Sequence, residues 1–154
     1  MAYLIDGHNL IPKLGLKLDA LDDELDLVAK LLEYCRVRRT QVEVYFDGAL
    51  PGSAGTRKSG AVTAHFVRQG SSADAAIEAR LARLAASARN WTVVSSDGRV
   101  RRAAQAAHAR SLSSEAFARE METARRKGQA DTKGEGGGLS PAEIEDWLRI
   151  FRGK

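Results

Sequence analysis

A chain of 154 residues, 44% hydrophobic and 29% charged, is long enough for one compact domain with a sizeable core and leaves little room for a second. Its 24 basic residues against 20 acidic ones, a net charge of +4 and a pI near 9.5, favour a polyanionic partner without separating RNA from DNA. One cysteine, Cys35, excludes an intrachain disulfide and a multi-thiolate zinc site, and no apolar run reaches the roughly 18 residues of a membrane span, so a soluble protein in a reducing, cytoplasmic setting is expected, with no signal peptide ahead of its first strand.

The chain opens on an apolar strand, Tyr3-Leu4-Ile5, that stops at Asp6-Gly7-His8-Asn9. A buried strand ending there presents its carboxylate at the sheet's C-terminal edge, where open α/β sheets place ligands; Asp-Gly is equally an ordinary turn. Gly7 is expected to provide a sharp backbone turn. Residues 11–18, with Pro12 and Gly15, read as a loop. Leu21, Leu25, Val28, Leu31 and Leu32 then take helical spacing, with Asp19 as N-cap and Arg36, Arg38 and Arg39 at the C-terminal end, where cations favour the last carbonyls. From Gln41 to Phe46 the pattern alternates, Val42, Val44 and Phe46 on one side and Glu43 and Tyr45 on the other, and stops at Asp47-Gly48.

Residues 49–61, small and glycine-rich around Arg57 and Lys58, read as a mobile surface loop before a strand over 62–67. Ser72 caps a helix expected over 73–88, whose first turn carries Asp74, with Glu78 one turn further on the same face. An acid near a helix N-terminus also simply favours the dipole. Residues 91–94 form a further strand running into Ser95-Ser96-Asp97-Gly98, the third strand to end in Asp-Gly. The helix over 99–107 begins with Arg99, Arg101 and Arg102, cations on the unfavourable end of the dipole and within reach of phosphate. An edge strand at 110–112 and a helix over 115–127 complete a domain spanning 1–127. A glycine-rich linker is expected at 128–139. Ser140, Pro141 and Glu143 then form a capping box for a tail helix within 140–154, with Ile144, Trp147, Leu148 and Phe151 on one face.

Strands alternating with helices, three of them ending in Asp-Gly, imply a mainly parallel α/β sheet that gathers its carboxylates at one edge. Asp6, Asp47, Asp74 and Asp97 then supply hard oxygen ligands suited to Mg²⁺ or Mn²⁺. Several carboxylates in one cleft repel each other unless a cation or protons neutralise them, and acidic metal sites of this type hydrolyse phosphodiesters. Asn9, Ser95 and Ser96 can hold those carboxylates or a water by hydrogen bonds, and the serines equally serve turns and caps. Competing chemistries lack their motifs: there is no G-x-S-x-G elbow for His8, His65 or His108 to serve and no G-x-x-x-x-G-K-[ST] phosphate loop. A receiver-like domain needs paired acids at the first strand, and Asp6 has no acidic neighbour.

Ile5-Asp6-Gly7-His8-Asn9, Tyr45-Phe46-Asp47-Gly48, Ser72-Ala73-Asp74-Ala75-Ala76-Ile77-Glu78 and Val94-Ser95-Ser96-Asp97-Gly98, in that order, resemble the YacP-like branch of the NYN domains in the PIN-like ribonuclease superfamily. The resemblance covers about residues 3–120. It implies a PIN-like three-layer α/β/α fold, an acidic Mg²⁺ or Mn²⁺ site and endoribonuclease activity, in a family some of whose members act on RNA in association with ribosomes. By position Asp6, Asp74, Asp97 and Asp47 match the metal-site acids and Asn9 the accompanying amide, with Glu78 a weaker match. After Asp97 the family often carries a second acidic or a polar residue; Gly98-Arg99 stands here instead and leaves the number of ions open. The cations Arg57, Lys58, Arg99, Arg101 and Arg102 are the expected RNA contacts. The alternative from another class is a non-catalytic RNA-binding or ribosome-associated module with a vestigial acidic site.

Overall fold

The alternation read over 41–46 decides which helices lie on which side of the sheet. In the computed structural model, which describes residues 1–15, 21–131 and 144, the strands are β1 (Ala2–Asp6), β2 (Gln41–Ala49), β3 (Gly55–Ser59), β4 (Val62–Arg68), β5 (Trp91–Val94) and β6 (Arg110–Leu112). The helices are α1 (Gly7–Leu10), α2 (Leu21–Arg38), α3 (Ala73–Leu84), α4 (Gly98–Ala106) and α5 (Ser114–Asp131). One sheet in the order β3-β4-β2-β1-β5-β6 runs parallel except for the β3–β4 pair. Tyr3, Ile5, Val42, Val44 and Phe46 pack on one face with Leu27, Leu31 and Phe117 of α2 and α5; Leu4, Tyr45 and Val93 pack on the other with Ile77, Leu81, Val100 and Ala104 of α3 and α4. Three layers result, as expected.

β1 lies at the centre, and the chain leaves it through α2 towards β2, whereas it leaves β5 through α4 towards β6 on the opposite face. The crevice between the C-terminal ends of β1 and β5 is therefore the switch point at which doubly wound sheets bind ligands. Asp6 and Asp97 flank it. Across the sheet, Glu43 of β2 receives the Arg80 guanidinium of α3 through two bonds of 3.0 Å and the Tyr45 hydroxyl at 2.9 Å, which fastens the helix carrying Asp74 to the sheet. Burial opposes its charge, but the His65, Arg80 and Tyr45 bonds prevail and hold the Glu43 carboxyl down at about 2.

Several boundaries differ from the sequence reading. Residues 49–61 are not all loop: Gly55–Ser59 is an antiparallel edge strand, pairing Arg57 with Ala64 and Lys58 with Thr63. Its mostly exposed, charged sequence carries no apolar alternation because only one edge and part of one face are covered. β2 does not halt at Asp47 but runs to Ala49 through a register shift, with Gly48 at φ +81. Of the loop expected over 11–18, residues 11–14 are helical: α1 continues into a 3₁₀ turn over Ile11–Leu14 that ends at Gly15 with φ +79, and residues 16–18 lie outside the described residues. α3 stops at Leu84 and a 3₁₀ segment, Ala85–Asn90, leads to β5. α5 runs on through Gly128, where a linker was expected to begin; a Cβ there would stand 2.8 Å from Val37, so glycine lets α5 approach α2 closely. The Asp19 cap and the rest of the linker lie outside the described residues, as does the tail helix apart from Ile144, which is helical and exposed. No helix among the described residues is long and apolar enough to cross a membrane.

Candidate active site

Asp6 ends β1, and with a period of two its side chain leaves the sheet on the face of Leu4, towards α3 and α4. It is 8% exposed. Burial raises its carboxyl to about 6, with the charges of Asp74 and Asp47 adding to the effect; the Asn9 backbone N–H and His8 work in the other direction. Asp74 sits in the first turn of α3, whose N-cap Ser72 accepts from the Ala75 N–H at 3.1 Å. Its carboxyl is raised too, first by burial and then by Asp97, against Arg99, with Asp47 and Glu78 contributing. Asp97 caps α4 by accepting from the Arg99 N–H at 2.8 Å. The end of β1, the last residues of β2 and the starts of α3 and α4 thus bring Asp6, Asp47, Asp74 and Asp97 to the C-terminal edge, where Asp6 feels Asp74 and Asp47, and Asp74 feels Asp97 and Asp47.

Hydrogen bonds fix the corner. Ser95 Oγ lies between two of the acids, donating to Asp6 Oδ2 at 3.4 Å and accepting from the Asp97 N–H at 3.0 Å. Asn9 Oδ1 accepts from the Ser96 N–H at 2.8 Å and from Ser114 Oγ at 2.6 Å, so one amide joins the end of β1 to β5 and α5. Ser96 Oγ donates to Glu115 at 2.6 Å, and Lys13 pairs with the same carboxylate at 3.0 Å; the two hold Glu115 down at about 2.

Gly7 has a different role from the one expected. Its φ is not positive; instead a Cβ would stand 2.5 Å from the Phe46 ring and 2.9 Å from the Tyr45 carbonyl oxygen. The ring can move only into a packed core, and the carbonyl belongs to the β1–β2 ladder. Gly7→Ala is expected to destabilise the fold by about 2 kcal/mol through overpacking, read as a lower midpoint in urea with an unchanged m-value.

Sequence reading gave His8 no clear role. Here its Nδ1 lies 2.8 Å from Asp47 and its Nε2 2.5 Å from Glu24 of α2. Burial would lower its pKa, but the bonds to Glu24 and Asp47 outweigh it and raise it to about 9, so the ring is an imidazolium donating from both nitrogens at neutral pH. Glu24 itself was missed. The acidic start of α2, Asp22-Asp23-Glu24, is the signal that could have pointed to it.

The cations divide. Arg99 is held by Glu78 through two bonds of 2.8 Å, a pairing that lowers the Glu78 carboxyl. Arg101 and Arg102 are exposed on α4 next to Asp97, and Arg102 Nη1 would stand 3.1 Å from a Cβ on Gly98. Arg57 and Lys58 are not in a loop over the acids but on β3, three strands from β1, and successive positions point to opposite faces. Among the described residues no three His, Cys, Asp or Glu side chains stand as a ready ligand cage. The donor chemistry nevertheless fits a hard cation, because Mg²⁺ characteristically takes one or two carboxylates and completes its shell with water and substrate phosphate.

The chain matches the model of the YacP-like NYN domain over residues 3–146. Among solved structures it is similar to the crystal structure of Rae1 (YacP) from Bacillus subtilis, with a TM-score of 0.70, 26% identity and coverage of 85% of this chain and 79% of that one. A tryptophan-to-leucine mutant of the same Bacillus subtilis protein gives a TM-score of 0.68 at 25% identity, over 98% of this chain and 92% of that one. No curated protein matches. With its six-stranded, mostly parallel sheet and its match over nearly the whole sequence, the chain belongs to the YacP-like NYN domain family, a PIN-like nuclease family, which supports a ribonuclease function in general.

Proposed function

We propose that this chain is a metal-dependent endoribonuclease that hydrolyses RNA phosphodiester bonds at the Asp6–Asp47–Asp74–Asp97 edge. The observation that carries the reading is the convergence of four carboxylates at the C-terminal edge, where burial and neighbouring acids destabilise two of them as anions: Asp74 and Asp47 act on Asp6, and Asp97, Asp47 and Glu78 act on Asp74. A site in that state favours a cation over more protein charge. Asp6, Asp74, Asp97 and Asp47 are the residues that would hold Mg²⁺ or Mn²⁺, which when bound supplies Lewis-acid polarisation of the phosphodiester and a more acidic water. The chain's own groups set the stage. Ser95 holds Asp6 and the Asp97 backbone in register, Asn9 locks the β1 corner to β5 and α5, and the His8 imidazolium fixes the direction of Asp47. Exposed Arg101 and Arg102 beside Asp97, with Arg57 and Lys58 on β3, offer phosphate contacts that position RNA without reading its sequence. RNA carried by the ribosome is the substrate that the family resemblance suggests, and a reducing cytoplasm is the matching setting for the single buried thiol of Cys35, which burial pushes up to about 12.

Purified protein should cut RNA in Mg²⁺ or Mn²⁺ and stop in chelator, with activity restored by adding the ion back. The alternative is a non-catalytic RNA-binding or ribosome-associated module whose acidic site is vestigial. RNA binding without cleavage under all of these ions decides for it.

A further inference from the structure

At the opposite edge of the sheet a groove of about 420 Å³ opens between the N-terminal ends of the strands, lined by Ala2, Gln41, Arg89, Asn90, Trp91 and Arg110 among others, and no acidic residue lines it. Arg89 and Arg110 are exposed. Arg80 and Arg99 are committed to Glu43 and Glu78, whereas Arg89 and Arg110 form no ion pair among the described residues. Gln41 bonds through its N–H to the Met1 carbonyl at 3.2 Å, which brings the turn carrying exposed Arg38 and Arg39 to the same edge. Trp91 adds a half-buried indole, with the Arg80 guanidinium 5.3 Å from its ring centroid.

We propose that this groove binds the backbone of single-stranded RNA, as a second contact separate from the acidic edge. The inference rests on RNA being the ligand of the proposed function. Charge argues for it: four carboxylates repel a polyanion, and the cations nearest to them are partly spent, Arg99 on Glu78 and Lys13 on Glu115. Besides Arg101 and Arg102, unspent guanidinium groups collect at the N-terminal edge, where a volume of this size accepts a sugar-phosphate unit and half-buried Trp91 offers the open part of its ring, the combination found in single-strand binding grooves. β1 spans the sheet from this edge to Asp6, about 13 Å at 3.3 Å per residue. An RNA engaged at both ends therefore wraps the sheet, whereas a short one occupies the acidic edge or the groove but not both at once.

The test compares the full-length protein with the Arg89→Ala/Arg110→Ala and Arg89→Lys/Arg110→Lys double variants on single strands of about 5 and about 30 nucleotides, across a salt series. For the long strand the alanine variant should bind about 10-fold or more weakly at low salt, and its log–log salt slope should shrink by about 1.4. The lysine variant should keep the slope, because the contact is with phosphate charge. Cleavage of the short strand in excess should be unchanged, because it reaches the acidic edge without the groove, as should the melting temperature, since both arginines are exposed. Wild-type affinity and slope in the alanine variant overturn the groove and leave the nuclease reading standing. A wild type that binds the long strand through these arginines but cuts nothing keeps the groove and overturns the nuclease reading, and a wild type that binds no RNA overturns both.

Discussion

Asp97→Asn and Asp6→Asn are each expected to lower RNA cleavage by about 10³-fold or more, corresponding to about 4 kcal/mol of lost transition-state stabilisation, while leaving most RNA affinity in place. The amide keeps the shape of each side chain. At position 97 it still offers an oxygen to the Arg99 N–H and so can cap α4. What it removes is the negative charge that would hold a cation under the proposed function, whereas affinity would come from arginines and lysines outside the crevice. Cleavage rates in Mg²⁺ and in Mn²⁺, alongside RNA binding and thermal unfolding of each variant, check the expectation. Variants that cut as fast as wild type would remove these acids from the catalytic site.

Asp6→Asn should also make the metal-free protein more stable at neutral pH. The folded chain raises this carboxyl from its ordinary 3.8 to about 6. Below 3.8 the group is protonated in both folded and unfolded chains and has no effect. As pH rises from 3.8 to 6 the unfolded chain gives up the proton first, so stability falls; above 6 the whole penalty applies, about 3 kcal/mol at 1.36 kcal/mol per pH unit. The variant lacks that slope. Urea unfolding in chelator at pH 4 and pH 8 should therefore show a gap that opens with pH in favour of the variant. Adding Mg²⁺ at pH 8 should close the gap by stabilising wild type alone. A gap that does not change with pH would mean that the Asp6 carboxylate is solvated more fully than its burial implies.

What could be read from the sequence was local. Val42, Val44 and Phe46 announce one buried face by alternation alone, and Asp6, Asp74 and Asp97 stand at ends of elements that apolar runs and caps delimit. The parallel sheet followed from strands alternating with helices. Partners distant along the chain were not legible. His8 meets Glu24, and Asn9 meets Ser96 and Ser114, across separations of 16, 87 and 105 residues that no local pattern encodes. β3 was hidden for the opposite reason: an edge strand with the sequence Gly-Thr-Arg-Lys-Ser buries too little to need an apolar pattern. Gly7 looked like a turn residue because Asp-Gly usually is one, and only the position of the Phe46 ring shows that space decides it.

The central place of β1 has a consequence for how the protein is made. The first strand of the sheet in chain order takes β5 as one of its two neighbours, pairing Ala2 with Trp91 and Ile5 with Val94. Neither the crevice nor the Asp6–Asp97 pairing of its walls exists in any nascent chain that has not yet extended past Asp97. Helical crossovers α2 and α3 can form early, but closing the sheet must wait for a loop of nearly ninety residues, the kind of non-local pairing that slows folding. A product truncated before Asp97 therefore carries Asp6, Asp47 and Asp74 without their partner across the crevice, and completion of the sheet is the step that assembles the acidic edge.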